Sequence, residues 1–227
     1  TLFGALYNGA CLLVADEDTL RDPERFRDYL VAGEVDCLKI VPSHLGALLE
    51  AEQPRLPGTL VLGGEAPAPG LLQRVFQLRA DCRVFNHYGP TEATVGVMVQ
   101  VLTPEPLGHG PVGLGSVLPG NQVYVLDARH RLVPPGVLGE LYISGRQLCR
   151  GYLNDAGEAF VYHPFAPGER LYRTGDLARY RVDGSLALHG RRDQQVKLNG
   201  FRVELAELEA ELQRVACVRE AAVVAVP

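Results

Sequence analysis

The stretch NHYGPTEATVG, residues 86–96, decides how the rest of this chain is read. It follows Cys82-Arg-Val-Phe, which reads as a buried, extended segment. Within seven residues come an amide (Asn86), an imidazole (His87), a phenol (Tyr88), a Gly89-Pro90 turn, a hydroxyl (Thr91) and a carboxylate (Glu92). So varied a polar set at one strand end suits ligand binding, because parallel α/β sheets bind ligands outside the carboxyl ends of their strands.

Upstream, helix-like and strand-like segments alternate. Residues 2–7 read as a helix and 11–15 as a short buried strand. Asp22-Pro23 opens a helix, with Asp as cap and Pro at the first helical position, and Phe26, Leu30 and Val31 give it an apolar stripe. Residues 37–41 read as a strand interrupted by Lys39, Ser43 as the cap of the next helix, and 59–62 as a strand ending in Gly63-Gly64-Glu65. A helix over 70–80 and strands over 82–85 and 95–102 complete the series. This order predicts a parallel sheet with flanking helices.

Downstream the pattern changes. Gly and Pro crowd residues 104–120, and short alternating strands follow at 122–127, 139–144, 171–174, 177–181 and 185–189, which reads as an antiparallel, barrel-like module. A last section starts with a short strand, a helix over 205–215 and a strand over 221–226. The expected organisation is therefore α/β over 1–102, β-rich over 103–192, and the start of a small α+β subdomain over 193–227.

The bulk composition narrows the function. Of 227 residues, 47% are hydrophobic and 22% charged, and the net charge of −5 comes without a basic face. Nucleic acid and anionic membranes are poor partners for such a surface. The apolar runs are too short to span a bilayer. The five cysteines lack metal-type spacing; four lie in apolar contexts and read as reduced core residues of a cytoplasmic protein. The opening TLFGALYNGA has neither a basic leader nor an initiator Met, and reads as the interior of a longer protein.

Five stretches carry a resemblance: LVLGGEA (60–66), NHYGPTE (86–92), GELYISGRQLCRGYLN (139–154), YRTGDLARY (172–180) and GRRDQQVKLNGFRVELAELE (190–209). In this order and spacing they resemble the adenylation domains of nonribosomal peptide synthetases, within the adenylate-forming superfamily. The resemblance implies that an amino acid carboxylate attacks the α-phosphate of Mg-ATP, giving aminoacyl-AMP and pyrophosphate. The phosphopantetheine thiol of a peptidyl carrier domain then takes the acyl group. A condensation domain is expected in the same megasynthase.

The resemblance also assigns roles. Nucleotide binding falls to Gly64, Asn86, Tyr88, Gly89, Thr91, Asp176 and Arg191. Tyr88 offers a stacking face worth about 1–3 kcal/mol, Asn86 an amide that reads the adenine edge, Thr91 a donor to phosphate, and Asp176 a carboxylate for the ribose diol. Glu92 supplies an oxygen ligand for Mg²⁺; Thr91, Glu92 and Arg191 form the catalytic set. Asp193 marks a hinge between two lid positions, and Lys197 and Gly200 lie in the loop that meets the carrier arm. Taken alone, Arg191 and Lys197 would read as solvated surface residues.

The side-chain pocket positions map to Lys39, Val61, Gly63, His87, Val95 and Gly96. A small lining with an ammonium, an imidazole and glycines suits a short side chain ending in a carboxylate, so L-Asp or a substituted Asp is expected over L-Asn. The chain departs from the family pattern at Leu188, Asn199 and Ala206. The family's phosphate loop, its α-ammonium-binding Asp and its C-terminal catalytic Lys would lie outside residues 1–227, so this chain alone is expected to be inactive. A tailoring domain inserted beyond the last residue is a further arrangement known in the family. Two rivals stand beside this reading: an acyl- or aryl-acid CoA ligase of the same superfamily, and a non-catalytic remnant that only docks a carrier.

Overall fold

The structure, a computed structural model, describes residues 2–104, 112–153, 159–193, 195–198, 200–215 and 217–225, and divides into two compact units.

The first unit comprises residues 1–87 and 100–110. Its helices are α1 (Leu2–Tyr7), α2 (Glu17–Arg21), α3 (Pro23–Ala32), α4 (Pro42–Leu48) and α5 (Pro69–Leu78); its strands are β1 (Cys37–Ile40), β2 (Thr59–Gly63) and all but the last residue of β3 (Arg83–Tyr88). β1, β2 and β3 are parallel, in the order β1-β2-β3, with Lys39 opposite Val61, and Gly63 opposite His87. Side chains alternate between the faces of a strand. Leu60, Leu62 and Val84, fully buried, occupy one face, and packing each contributes roughly 1.5–3 kcal/mol. Lys39, Val61, Gly63, Phe85 and His87 share the opposite, less buried face.

Asp22 caps α3 as expected, its Oδ1 accepting from the Glu24 and Arg25 amides, and Phe26 and Leu30 are the residues that α3 buries. Ser43, expected to cap α4, does not: Val41 is the cap, Pro42 takes the first helical position, and the Ser43 amide donates to Glu65 Oε2 at 3.0 Å. The GGE turn thus supplies the acceptor that the helix start lacks. The strand expected over 11–15 is not formed, and Cys11 is exposed. The reading of the cysteines as core residues is likewise corrected. All five are free, but Cys11, Cys37 and Cys217 are exposed, Cys149 is half-buried and Cys82 alone is buried.

The second unit comprises residues 88–99 and 111–227. Here lie a 3₁₀ turn (Thr91–Ala93), part of β4 (Met98–Leu102), β5 (Ser116–Val117), β6 (Asn121–Leu126), β7 (Gly139–Gly145), β8 (Phe160–Tyr162), β9 (Arg170–Tyr180), β10 (Leu186–Arg191), the hairpin β11 (Val196–Leu198) with β12 (Phe201–Val203), and α6 (Leu205–Gln213). An antiparallel sheet runs in the order β10-β9-β7-β6, with β8 on the edge of β9. Tyr88, Val97, Met98, Val125, Leu141, Ile143, Ala178 and Leu186 form its core.

The two strands expected at 171–174 and 177–181 are one strand, β9. Glu140 pairs Leu177 and Tyr142 pairs Arg173, so Thr174, Gly175 and Asp176 of β9 stand against Leu141 alone on β7. Gly175 takes φ +76°, which a glycine adopts without steric cost. A second irregularity on β10, between Leu188 and Arg191, brings Arg191 opposite Asp176. Residues 221–225 form no strand, and residue 226, like Asn199, lies outside the described residues.

Candidate active site

The turn after β3 requires a glycine. A Cβ on Gly89 would lie 1.9 Å from the Val95 carbonyl oxygen, so the chain folds back there only without one. The turn leaves Thr91 exposed and Glu92 buried. Tyr88, at the end of β3, is buried, and its hydroxyl donates to Asp176 Oδ2. Burial, followed by the neighbouring Asp176 charge, pushes the Tyr88 phenol well above its usual range. The phenol is therefore a hydrogen-bond donor at neutral pH, fixed by a partner far along the chain.

Asp176 sits between two donors. Arg191 Nη1 reaches its Oδ1 at 2.8 Å, while Tyr88 holds Oδ2. Arg191 also donates to the Thr174 carbonyl at 3.1 Å and makes a two-pronged contact with Asp193, Nε to Oδ1 at 2.7 Å and Nη2 to Oδ2 at 2.8 Å. Thr174 Oγ1 donates to the Leu141 carbonyl at 2.7 Å and accepts the Asp176 amide at 3.0 Å. Burial works against charge on Asp193, but the Arg191 contacts outweigh it and hold the Asp193 carboxyl below its ordinary value.

A second cluster surrounds Glu92, which is 5% exposed. Its Oε1 accepts from Arg202 Nη1 at 2.7 Å and from the Tyr152 hydroxyl. Cys149 N donates to its backbone carbonyl at 2.8 Å. Oε2 is buried and has no hydrogen-bond partner among the described residues. Burial raises the Glu92 carboxyl, yet the Tyr152 hydrogen bond and the Arg202 charge prevail and bring it below its ordinary value. Tyr172 adjoins the cluster, and its phenol is pushed up by burial and by the Glu92 charge.

Between the clusters lies a cavity of about 380 Å³, its wall including Tyr152, Tyr172, Gly175, Arg191, Asp193 and Arg202. Sequence reading named Asp176, Arg191, Asp193 and Glu92 but not Tyr152, Tyr172 or Arg202. All three stand inside quoted motifs, RGYLN, YRTGD and FRVEL, yet nothing local marks an Arg on a hairpin as the partner of a carboxylate 110 residues earlier. On that hairpin Lys197 pairs with Arg202 across the strands, and Gly200 makes the turn at φ +80°.

The remaining expected residues divide between the units. In the first, Lys39, Val61, Gly63 and His87 lie on one face; Lys39 is exposed rather than enclosed, and His87 is half-buried. Burial first and the Lys39 charge second lower the His87 pKa below 6.5, so the two side chains are electrostatic neighbours. Asn86 is buried on the opposite face from His87, and Gly64 turns the chain after β2 at φ +91°. In the second unit, Val95 is exposed and Gly96 half-buried.

The chain matches the family described as AMP-binding enzyme over residues 1–153. It is 42% identical, over 98% of its length, to the dimodular nonribosomal peptide synthase of Bacillus subtilis (strain 168), and 41% identical over 98% to malpinin synthetase of Mortierella alpina. It spans 9% of the length of the first of these relatives and 3% of the second. Among solved structures it matches, with a TM-score of 0.88 and 31% identity, a holo NRPS protein containing adenylation and PCP domains bound to a vinylsulfonamide inhibitor; the match covers 96% of this chain and 39% of that one.

Proposed function

The chain belongs to the AMP-binding enzyme family, and on that premise we propose that it is part of an adenylation domain of a nonribosomal peptide synthetase that activates L-Asp. Its fold is that of adenylate-forming enzymes. The observation that carries the reading is the pairing of Asp176 with Arg191 across β9 and β10, with Tyr88 on the same carboxylate.

Asp176 binds the ribose hydroxyls. Each of its oxygens has one hydrogen-bond partner among the described residues, and a carboxylate oxygen keeps a second lone pair for a ligand hydroxyl. Arg191 and Tyr88 fix the carboxylate's orientation before ATP arrives, which lowers the cost of binding. Thr91, exposed at the turn, donates to a phosphate oxygen. Tyr88, Gly89, Asn86 and Gly64 complete the nucleotide contacts.

The residues present fit Mg²⁺. Glu92 offers a buried oxygen, Oε2, without a hydrogen-bond partner among the described residues, and holds its carboxyl in the ionised form. Among the described residues no group of three or more His, Cys, Asp or Glu could hold a metal ion. Mg²⁺ does not need one, since it binds through one or two carboxylates together with substrate phosphates. When bound it neutralises charge on the phosphates during attack by the amino acid carboxylate.

Lys39 and His87 favour an acidic side chain, with Val61, Gly63, Val95 and Gly96 leaving room for a short one. Asp193 is the hinge; the Arg191–Asp193 contact must rearrange when the backbone turns there. Lys197 and Gly200 meet the phosphopantetheine arm of a peptidyl carrier domain, and a condensation domain adjoins in the same cytoplasmic megasynthase. The subdomain boundaries of this reading fall at residues 102 and 192.

The test uses the complete adenylation domain. Lys39→Leu should lower Asp-dependent ATP–pyrophosphate exchange by about 1.5–3 kcal/mol in kcat/KM, while ATP binding by calorimetry stays unchanged. Equal loss of both would contradict the reading.

A further inference from the structure

Two consecutive residues after the 3₁₀ turn, Thr94 (φ +56°) and Val95 (φ +72°), hold the left-handed conformation. For a β-branched residue this is a genuine outlier, and it persists only where the surroundings impose it. The Val95 side chain does not supply the restraint, because it is 53% exposed. The restraint comes from the backbone and from one amide. Thr94 Oγ1 donates to the Gln147 carbonyl at 2.7 Å, and Gln147 Nε2 donates to the Gly96 carbonyl at 3.1 Å. Gln147 Oε1 in turn accepts from Asn121 Nδ2, which fixes the amide's orientation. Val97 N donates to the Tyr88 carbonyl at 2.8 Å, and the Val95 carbonyl packs against the bare Cα of Gly89.

We propose that Gln147, backed by Asn121, is a positioning residue for amino acid selection: it holds the strained 94–96 segment and so sets where Val95 and Gly96 stand. The inference rests on the proposed assignment of Val95 and Gly96 to the side-chain pocket. Gln147 touches neither nucleotide nor amino acid in this scheme; it acts through the two lining residues. A lining fixed by strain discriminates side chains only while the clamp is closed, because a relaxed segment would let the pocket adjust to a wrong substrate.

The test compares wild type, Gln147→Ala, Gln147→Glu and Asn121→Ala in the complete adenylation domain. Gln147→Glu retains the acceptor for Asn121 but replaces the donor to Gly96 with a carboxylate oxygen. Both Gln147 variants should raise KM for the preferred amino acid about tenfold and narrow its preference over competitors, with KM for ATP within about twofold of wild type. Asn121→Ala should act in the same direction but more weakly. Deuterium exchange should show faster labelling of residues 92–97 in the Gln147 variants, whatever the enzyme activates. Unchanged labelling overturns the proposal, as does a fall in kcat and a rise in KM for ATP with amino acid preference intact. If an amino acid other than Asp proves to be the substrate, the Asp reading falls, and the shift in KM for that other amino acid still decides the role of Gln147. If no amino acid supports exchange, the adenylation reading itself fails, and unchanged labelling still overturns the clamp.

Discussion

At the residue scale, Lys39 and His87 make a testable pair. β1 and β3 are separated by β2, and the register sets both side chains on one face of the first unit. Burial of His87 and the charge of Lys39 both disfavour the imidazolium, so the His87 pKa lies below 6.5. The sign follows from linkage. The unfolded chain binds more protons between the lowered value and 6.5, so stability from neutral His87 is full above 6.5 and is lost as pH falls through that window. Lys39→Met removes one cause of the lowering and should move the His87 titration upward, toward 6.5, as followed by NMR of the ring protons. A downward or absent shift would mean that the two groups do not interact. The family resemblance placed Lys39 and His87 in one pocket, and Lys39 also stood out as a charge interrupting an apolar strand. Sequence could not show that Lys39 is exposed in this unit, because exposure depends on what covers the sheet face.

At the level of single elements, β9 shapes the Asp176–Arg191 cluster through one irregularity. Gly175 lets Asp176 turn toward Arg191, and a Cβ there would meet Asp193 Oδ2 at 2.5 Å and Arg191 Nη2 at 2.7 Å. Gly175→Ala combines a left-handed backbone with displacement of an ion pair. It should cost about 1–2 kcal/mol of stability from the backbone alone, measured by denaturant unfolding, and raise KM for ATP. Unchanged KM would place the Asp176–Arg191 pair outside the nucleotide site. The alternation of residues 171–181 was legible as strand, but the Thr174-Gly175-Asp176 interruption read as a break between two strands, because a bulge and a turn share the same glycine signature. β8 went unread, and residues 11–15 and 221–225 were misread as strands from apolar runs alone. An apolar run becomes a strand only where a neighbour accepts its backbone hydrogen bonds. Ser43 was misassigned for a related reason: the acceptor for its amide, Glu65, lies 22 residues away.

Across the whole molecule, the two units divide the residues proposed for the site. The first holds Lys39, Val61, Gly63 and His87; the second holds Tyr88, Glu92, Asp176, Arg191 and Asp193. The alternation of helices and strands, then the change to Gly- and Pro-rich short strands, suggested a change of architecture near residue 102, whereas the two compact units part within β3 and β4. Arg202 on Glu92, Tyr152 beside it and Gln147 on Gly96 were not readable, because each joins positions brought together only by folding. The activity proposed for the complete adenylation domain is conversion of an acidic amino acid to its adenylate. ATP–pyrophosphate exchange on the complete adenylation domain, run with Asp, Asn, Glu and Leu in parallel, tests it most directly. Asp should support the fastest exchange, and exchange should require Mg²⁺; Leu or Asn outrunning Asp by about tenfold would contradict the proposed activity.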